Sequence, residues 1–308
     1  MLSENELEIV KSSSILLEII DISDFHDLTN REDISAWVVH PCPNFTIDSR
    51  VLEYIPNLEL ICTPSTGTTH LNKEDLAKSD IELVGLKGST TVEEIKASSE
   101  FTFIHVLNAI RKFTDAVNHT KNGNWRNGDS LLRGREVCET SIGIVGLGRI
   151  GGNVAKWSRC MGMEVSYVDP YVSNEEYKRC HSLKQMASKV DVLVVAVHLD
   201  SSTEGMIDIS ILEEMKEDAW LVNTSRGEIL VENDLVEVLR KGLIRGASLD
   251  VLCFENREDF PSCNQLYQYS LTNDNLIITP HVAGLSYDSE RKAQMFAFEN
   301  ALRFVNEG

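Results

Sequence analysis

The sequence predicts an α/β protein of two domains, each built on a parallel sheet. Three observations lead there. Short apolar runs alternate with helical stretches along most of the chain, the pattern of strands joined by crossover helices. A glycine-rich turn at 146–151 lies between an apolar β-type run and a helix-compatible segment. A second β-type run ends in an acid, Asp169. The 308 residues suffice for two domains of ordinary size.

In the first part of the chain, 15–20, 36–39, 58–62 and 81–84 read as strands, each a short, mainly apolar run. From 94 to about 113 the pattern becomes helical, with Ile95, Phe103, Val106, Leu107 and Ile110 broadly on one side. The stretch 122–128 is rich in Asn and Gly and reads as a loop. Strands of a second sheet are expected at 141–146, 164–168, 191–197, 219–223, 245–249 and 276–279. Helices fit between them at 149–160, 182–188, 208–216 and 231–241. The last of these has Glu232 and Asp234 early, Arg240 and Lys241 late, and Gly242 at its stop, as the helix dipole and a left-handed cap favour. A closing helix spans 286–308 and is expected to return to the first domain. The division is therefore 1–100 with 285–308, and 101–284.

Net charge is −19, from 29 basic against 48 acidic residues, which argues against nucleic-acid partners and anionic membrane surfaces. A small anionic substrate stays open, because a few local cations suffice for it. The first residues carry no basic stretch of the signal-peptide kind. No apolar run reaches the roughly 18 residues of a membrane span. The 7 cysteines form no CxxC pair or metal-type cluster, so no metal is expected and a cytoplasmic location is.

The turn at 146–151 carries the first functional reading. Gly146 allows the tight bend, Gly148 lets backbone approach a pyrophosphate, and Gly151 lets the helix pack close to its strand. The helix that starts at Arg149 and Ile150 then points its N-terminus at phosphates. Asp169 follows Gly151 by close to the expected spacing, about 20 residues, of a ribose-binding carboxylate. An acid there accepts from the two ribose hydroxyls of NAD and repels the 2′-phosphate of NADP. The bland alternative is a glycine turn in an ordinary βαβ unit.

Four motifs in order extend this: Gly143-Ile-Val-Gly-Leu-Gly-Arg-Ile-Gly151, Val222-Asn-Thr-Ser-Arg-Gly227, Gly246-Ala-Ser-Leu-Asp-Val251 and Thr279-Pro-His-Val-Ala-Gly284. Together they resemble the D-isomer-specific 2-hydroxyacid dehydrogenases, closely from about 100 to 284 and more loosely before. The resemblance implies Rossmann-like and flavodoxin-like domains with the cofactor cleft between them, and a homodimer. It implies a catalytic set of Arg226, Glu255 and His281. It also implies NAD held by Gly146, Gly148, Arg149, Ile150, Gly151, Asp169, Thr224 and Asp250.

The residue types suit reduction of a 2-oxo acid, in which hydride reaches the carbonyl carbon and a proton its oxygen. His281 titrates near neutral pH and can supply that proton. Glu255 orients the ring and raises its pKa, and Arg226 forks onto the substrate carboxylate. The family's carboxylate-binding loop is matched by 62–72, with the Thr66 and Gly67 N–H groups as donors. The next family element departs from the pattern: the loop 86–99 is longer and lacks an expected Asn. Lys87 and Ser89 are the candidate replacements, a solvated lysine being the competing reading. Two rival functions share the scaffold: an NAD(H)-sensing corepressor, and a phosphite- or formate-type dehydrogenase. Glu255 disfavours formate, because those enzymes usually carry Gln there.

Overall fold

Most strands form where β-branched and aliphatic residues run together, and every strand pairing described is parallel. A computed structural model of the chain describes residues 25–28, 31–40, 43, 45–68, 70–255, 257 and 259–307. By contact density the chain separates into residues 1–95 with 285–308, and residues 96–284. The strand expected at 15–20 lies outside the described residues.

In the first unit, β1 (Ala36–Val38), β2 (Leu60–Thr63) and β3 (Glu82–Gly85) lie in that order. Every residue of β2 is buried, as a central strand requires. Alternation sends its side chains to opposite faces. Ile61 packs with Ile47, Val51, Ile55 and Leu71, while Leu60 and Cys62 meet Ala297 of the helix Tyr287–Glu307. That closing helix, anticipated from sequence, covers one face of this sheet. The stretch 86–99 is not a plain loop. The Ser89 hydroxyl accepts the Val92 N–H and caps a short helix, Thr90–Glu94. Ile95 is extended, and the long helix begins only at Ala97, running to Arg111. Lys112 is left-handed (φ 52°), and a further helix, Phe113–Lys121, follows where sequence suggested none.

The second unit holds β4 (Ser141–Val145), β5 (Glu164–Val168), β6 (Lys178–Arg179), β7 (Val192–Val195), β8 (Trp220–Asn223), β9 (Gly246–Leu249) and β10 (Leu276–Ile278). They lie in the order β10-β9-β8-β7-β4-β5-β6. The order reverses between β4 and β7, the place where doubly wound sheets open a crevice at their carboxyl ends. β7 is buried throughout, with Val192 and Val194 in the core on one face and Leu193 and Val195 in the core on the other. Both faces are therefore covered, as all-parallel sheets demand. Asp191 anchors the opposite end. Burial alone would raise its pKa, but the Ser141 N–H at 2.7 Å and Lys216 and Arg135 at 3.0 Å hold it at about 2. No helix among the described residues is long and apolar enough to cross a membrane.

Candidate active site

The crevice end of β4 is shaped by its glycines. Gly146 has φ +90°, and a Cβ there would press on the Ala196 carbonyl oxygen at 2.7 Å, at the end of β7. At Gly151 a Cβ would overlap the Gly146 carbonyl, so only glycine lets the helix Arg149–Cys160 approach the turn. A Cβ on Gly148 meets nothing within 4 Å, and the surface there is open. The helix has no acid in its first turn and no side-chain cap, so its N-terminal partial positive charge suits an anion. These features fit a dinucleotide pyrophosphate.

Asp169, at the end of β5, ties this turn together. One carboxylate oxygen accepts the Leu147 N–H at 2.8 Å, and the other accepts the N–H groups of Tyr171 and Val172, each at 2.8 Å. Burial pushes its carboxyl up, but the three donors outweigh it and hold the pKa below the usual carboxylate range. Asp169 is therefore charged and fixed beside the glycine turn. Thr224, just beyond β8, is buried and shares a hydroxyl contact of 2.6 Å with Thr102 of the long helix.

Past β8, the Asn223 side chain braces a turn: it accepts the Ser225 N–H and donates to the Arg226 carbonyl, both at 2.9 Å. Arg226 sits on this turn, half-buried and extended. Gly227 follows because the chain at 252–253 crosses directly over it; a Cβ would overlap the Leu252 carbonyl group and the Cys253 nitrogen. That crossing segment leads into Glu255. Its path is held by Glu232, whose carboxylate accepts from the Cys253 N–H and the Asn264 amide, both at 2.7 Å. Glu255 bonds with one oxygen to the Leu252 N–H at 2.6 Å and with the other to His281 Nδ1 at 2.5 Å.

His281 follows β10 in a left-handed conformation (φ 53°), a backbone that costs a residue with a side chain about 1–2 kcal/mol. Asp250 enforces it. The His281 N–H donates to the Asp250 carbonyl at 2.8 Å, and the N–H groups of Val282 and Ala283 donate to its carboxylate at 3.1 and 2.8 Å. The Thr279 hydroxyl donates to the same carboxylate. Asp250 is only 1% exposed, so its described work is to shape this turn. The hydrogen bond to Glu255 raises the His281 pKa; burial opposes, the Glu255 charge adds to it, and the Arg226 charge works against it.

In the first unit, Thr66 and Gly67 are half-buried on the loop after β2. The Ser65 hydroxyl donates to the Gly67 carbonyl at 2.6 Å and contacts Thr63 at 2.9 Å, which in turn meets His70 at 3.2 Å. Lys87 is exposed on the turn after β3, with no ion-pair partner among the described residues. The Ser89 hydroxyl is committed to its helix cap.

Arg226, Glu255, His281 and the glycine turn thus all lie at the carboxyl ends of strands in one unit. Residues 103–283 match the family model for the NAD-binding domain of D-isomer specific 2-hydroxyacid dehydrogenases. The chain belongs to this family. It is an NAD-dependent oxidoreductase of the 2-hydroxyacid dehydrogenase type. The human glyoxylate reductase/hydroxypyruvate reductase is 30% identical over 263 residues, 83% of this chain and 77% of that protein. A glyoxylate reductase of Korarchaeum cryptofilum is 29% identical over 265 residues, covering 84% and 76%. Among solved structures, the Aquifex aeolicus D-lactate dehydrogenase complexed with NAD and lactic acid matches with a TM-score of 0.80 at 25% identity, over 97% of this chain and 91% of that one.

Sequence reading passed over several residues that shape this dehydrogenase's site. Asn223 and Gly227 lie inside the 222–227 motif, but their bracing and close-approach roles depend on contacts that a motif does not display. Glu232 reads from sequence as an acid favourable to its helix, yet its carboxylate holds the Cys253 N–H and the Asn264 amide. Ser99, Thr102 and His105 are polar residues on the buried face of the helix Ala97–Arg111, at successive turns, and that polar line is the available signal.

Proposed function

We propose that the protein reduces a small 2-oxo acid to the D-2-hydroxy acid with NADH, and runs the reverse oxidation with NAD. The observation that carries this reading is the Glu255–His281 hydrogen bond on the unit that also bears Arg226. NADH, when bound, supplies the hydride to the carbonyl carbon. His281 gives the proton to the carbonyl oxygen from Nε2, since Nδ1 is engaged with Glu255. In oxidation the same nitrogen takes the hydroxyl proton. Arg226 forks onto the substrate carboxylate and polarises the carbonyl.

On this reading Gly146, Gly148, Arg149, Ile150 and Gly151 seat the pyrophosphate, Asp169 takes the ribose hydroxyls, and Thr224 and Asp250 border the nicotinamide. The backbone of Thr66 and Gly67 donates to the substrate carboxylate, and Lys87 offers a cation to the substrate's far end. The segment 1–100 with 285–308 is then the substrate-binding domain and 101–284 the NAD-binding domain. Relatives named for glyoxylate, hydroxypyruvate and lactate support a short side chain. We also propose a cytoplasmic homodimer. Exposed Ile104, Phe113, Trp125 and Leu131 support an apolar self-association surface, which sedimentation checks.

The test is NADH oxidation against glyoxylate, pyruvate, hydroxypyruvate, phosphohydroxypyruvate and bulkier 2-oxo acids, with NADPH in parallel. Turnover of a short member with NADH supports the reading. Tight NADH binding with no turnover of any member moves the function to NAD(H) sensing.

A further inference from the structure

We propose that His105 is a positioning residue for the reaction: through Thr279 and Asp250 it holds the backbone that carries His281. This rests on the acid–base role given to His281 above.

His105 lies on the helix Ala97–Arg111, only 3% exposed and far in sequence from every motif of the site. Its Nδ1 is 2.7 Å from the Ser248 hydroxyl on β9, and its Nε2 is 3.1 Å from the Thr279 hydroxyl. Thr279 in turn contacts the Asp250 carboxylate.

Chemistry fixes the direction of this chain. An ionised carboxylate only accepts, so Thr279 gives its single proton to Asp250. The Thr279 oxygen must then accept from His105, which places the ring hydrogen on Nε2. Nδ1 of the neutral ring is left as an acceptor and takes the Ser248 O–H. Burial pushes the His105 pKa down, with the Asp250 charge opposing, so the ring is neutral at pH 7 as this polarity requires.

The chain ends where the site is strained. Three consecutive N–H groups, of His281, Val282 and Ala283, are received by Asp250, and His281 is left-handed. Strained backbone at a functional position persists only when its surroundings over-determine it. Asp250 is the template for the turn, Thr279 fixes the carboxylate's rotation, and His105 fixes Thr279. The anchor at the far end is firm: Ser248 is fully buried and sits between Val222 of β8 and Ile277 of β10.

Two variants separate positioning from packing. In His105→Gln the amide keeps one donor for Thr279 and one acceptor for Ser248; His105→Leu fills the space with neither. His105→Leu is expected to lower kcat on the preferred 2-oxo acid about tenfold, with KM for NADH within about twofold. His105→Gln is expected to recover kcat to within about threefold of the parent. In the protein without nucleotide, NMR titration of His281 supplies a readout independent of turnover. Its raised pKa should fall toward the ordinary imidazole value in His105→Leu and stay raised in His105→Gln. A His105→Leu protein with parental kcat and an unmoved His281 titration overturns the proposal. So do equal losses in both variants that track their melting temperatures. If the parent turns over no 2-oxo acid, the proposed function fails, while the His281 titration still decides the relay.

Discussion

Nδ1 of His281 lies 2.5 Å from one oxygen of Glu255, whose other oxygen takes the Leu252 N–H at 2.6 Å. The carboxylate is thereby fixed on both sides, and its bond and charge hold the imidazole's pKa above the ordinary value. In the proposed mechanism the protonated ring is the acid that reduction needs. Reductive kcat/KM should therefore be full below the ordinary imidazole range and fall as pH rises through the raised His281 pKa. The stability contributed by this pair follows the same sign, present at low pH and fading as pH rises through that value. Glu255→Gln should move the falling limb to lower pH and cost on the order of 100-fold in kcat. An unmoved limb in the pH–rate profile would remove Glu255 from this role.

Arg226 is the test of carboxylate recognition. Arg226→Lys keeps the charge but loses the planar fork, so KM for the 2-oxo acid should rise and kcat/KM fall about 100-fold, with NADH affinity little changed. Steady-state kinetics with the preferred substrate check this. Equal kcat/KM in both proteins would show that Arg226 meets the substrate, if at all, only as a point charge.

Asp169 is charged and points into the glycine turn through the Leu147 N–H. On the proposed ribose assignment, Asp169→Ala removes an acid that repels a 2′-phosphate, and the NADH-over-NADPH preference should shrink about tenfold or more. The same change frees Leu147, so absolute affinity for both nucleotides should also fall. The ratio of the two dissociation constants is the decisive quantity; a constant ratio contradicts the ribose assignment.

Gly227 has no room for a side chain, because the Leu252–Cys253 peptide crosses it. Gly227→Ala must push that segment away and carry Glu255 off His281. Overpacking of this kind costs typically about 1–3 kcal/mol, and kcat should fall more than stability alone explains. Thermal unfolding and kcat measured on the same preparation separate the two effects.

β4, β5 and the helix Arg149–Cys160 were legible because a strong apolar period and glycine punctuation coincide there. β6 escaped because it is two charged residues, Lys178 and Arg179, held only by pairing with β5. The helix Thr90–Glu94 escaped because Thr-Thr-Val is a poor helix former, and its Ser89 cap gives the compensating contact. The polar residues of the proposed site stand in sequence motifs, whereas Gly227, Glu232 and His105 make contacts distant in sequence. Such contacts leave no periodic trace.

The most direct test of the account is His281→Ala, assayed for reduction of the preferred 2-oxo acid beside a fluorescence titration of NADH. Turnover should fall about 1,000-fold or more, while the NADH dissociation constant stays within about threefold of the parent value. Turnover retained near the parental rate would contradict the assignment of His281 as the proton donor, and with it the mechanism built on Glu255 and Arg226.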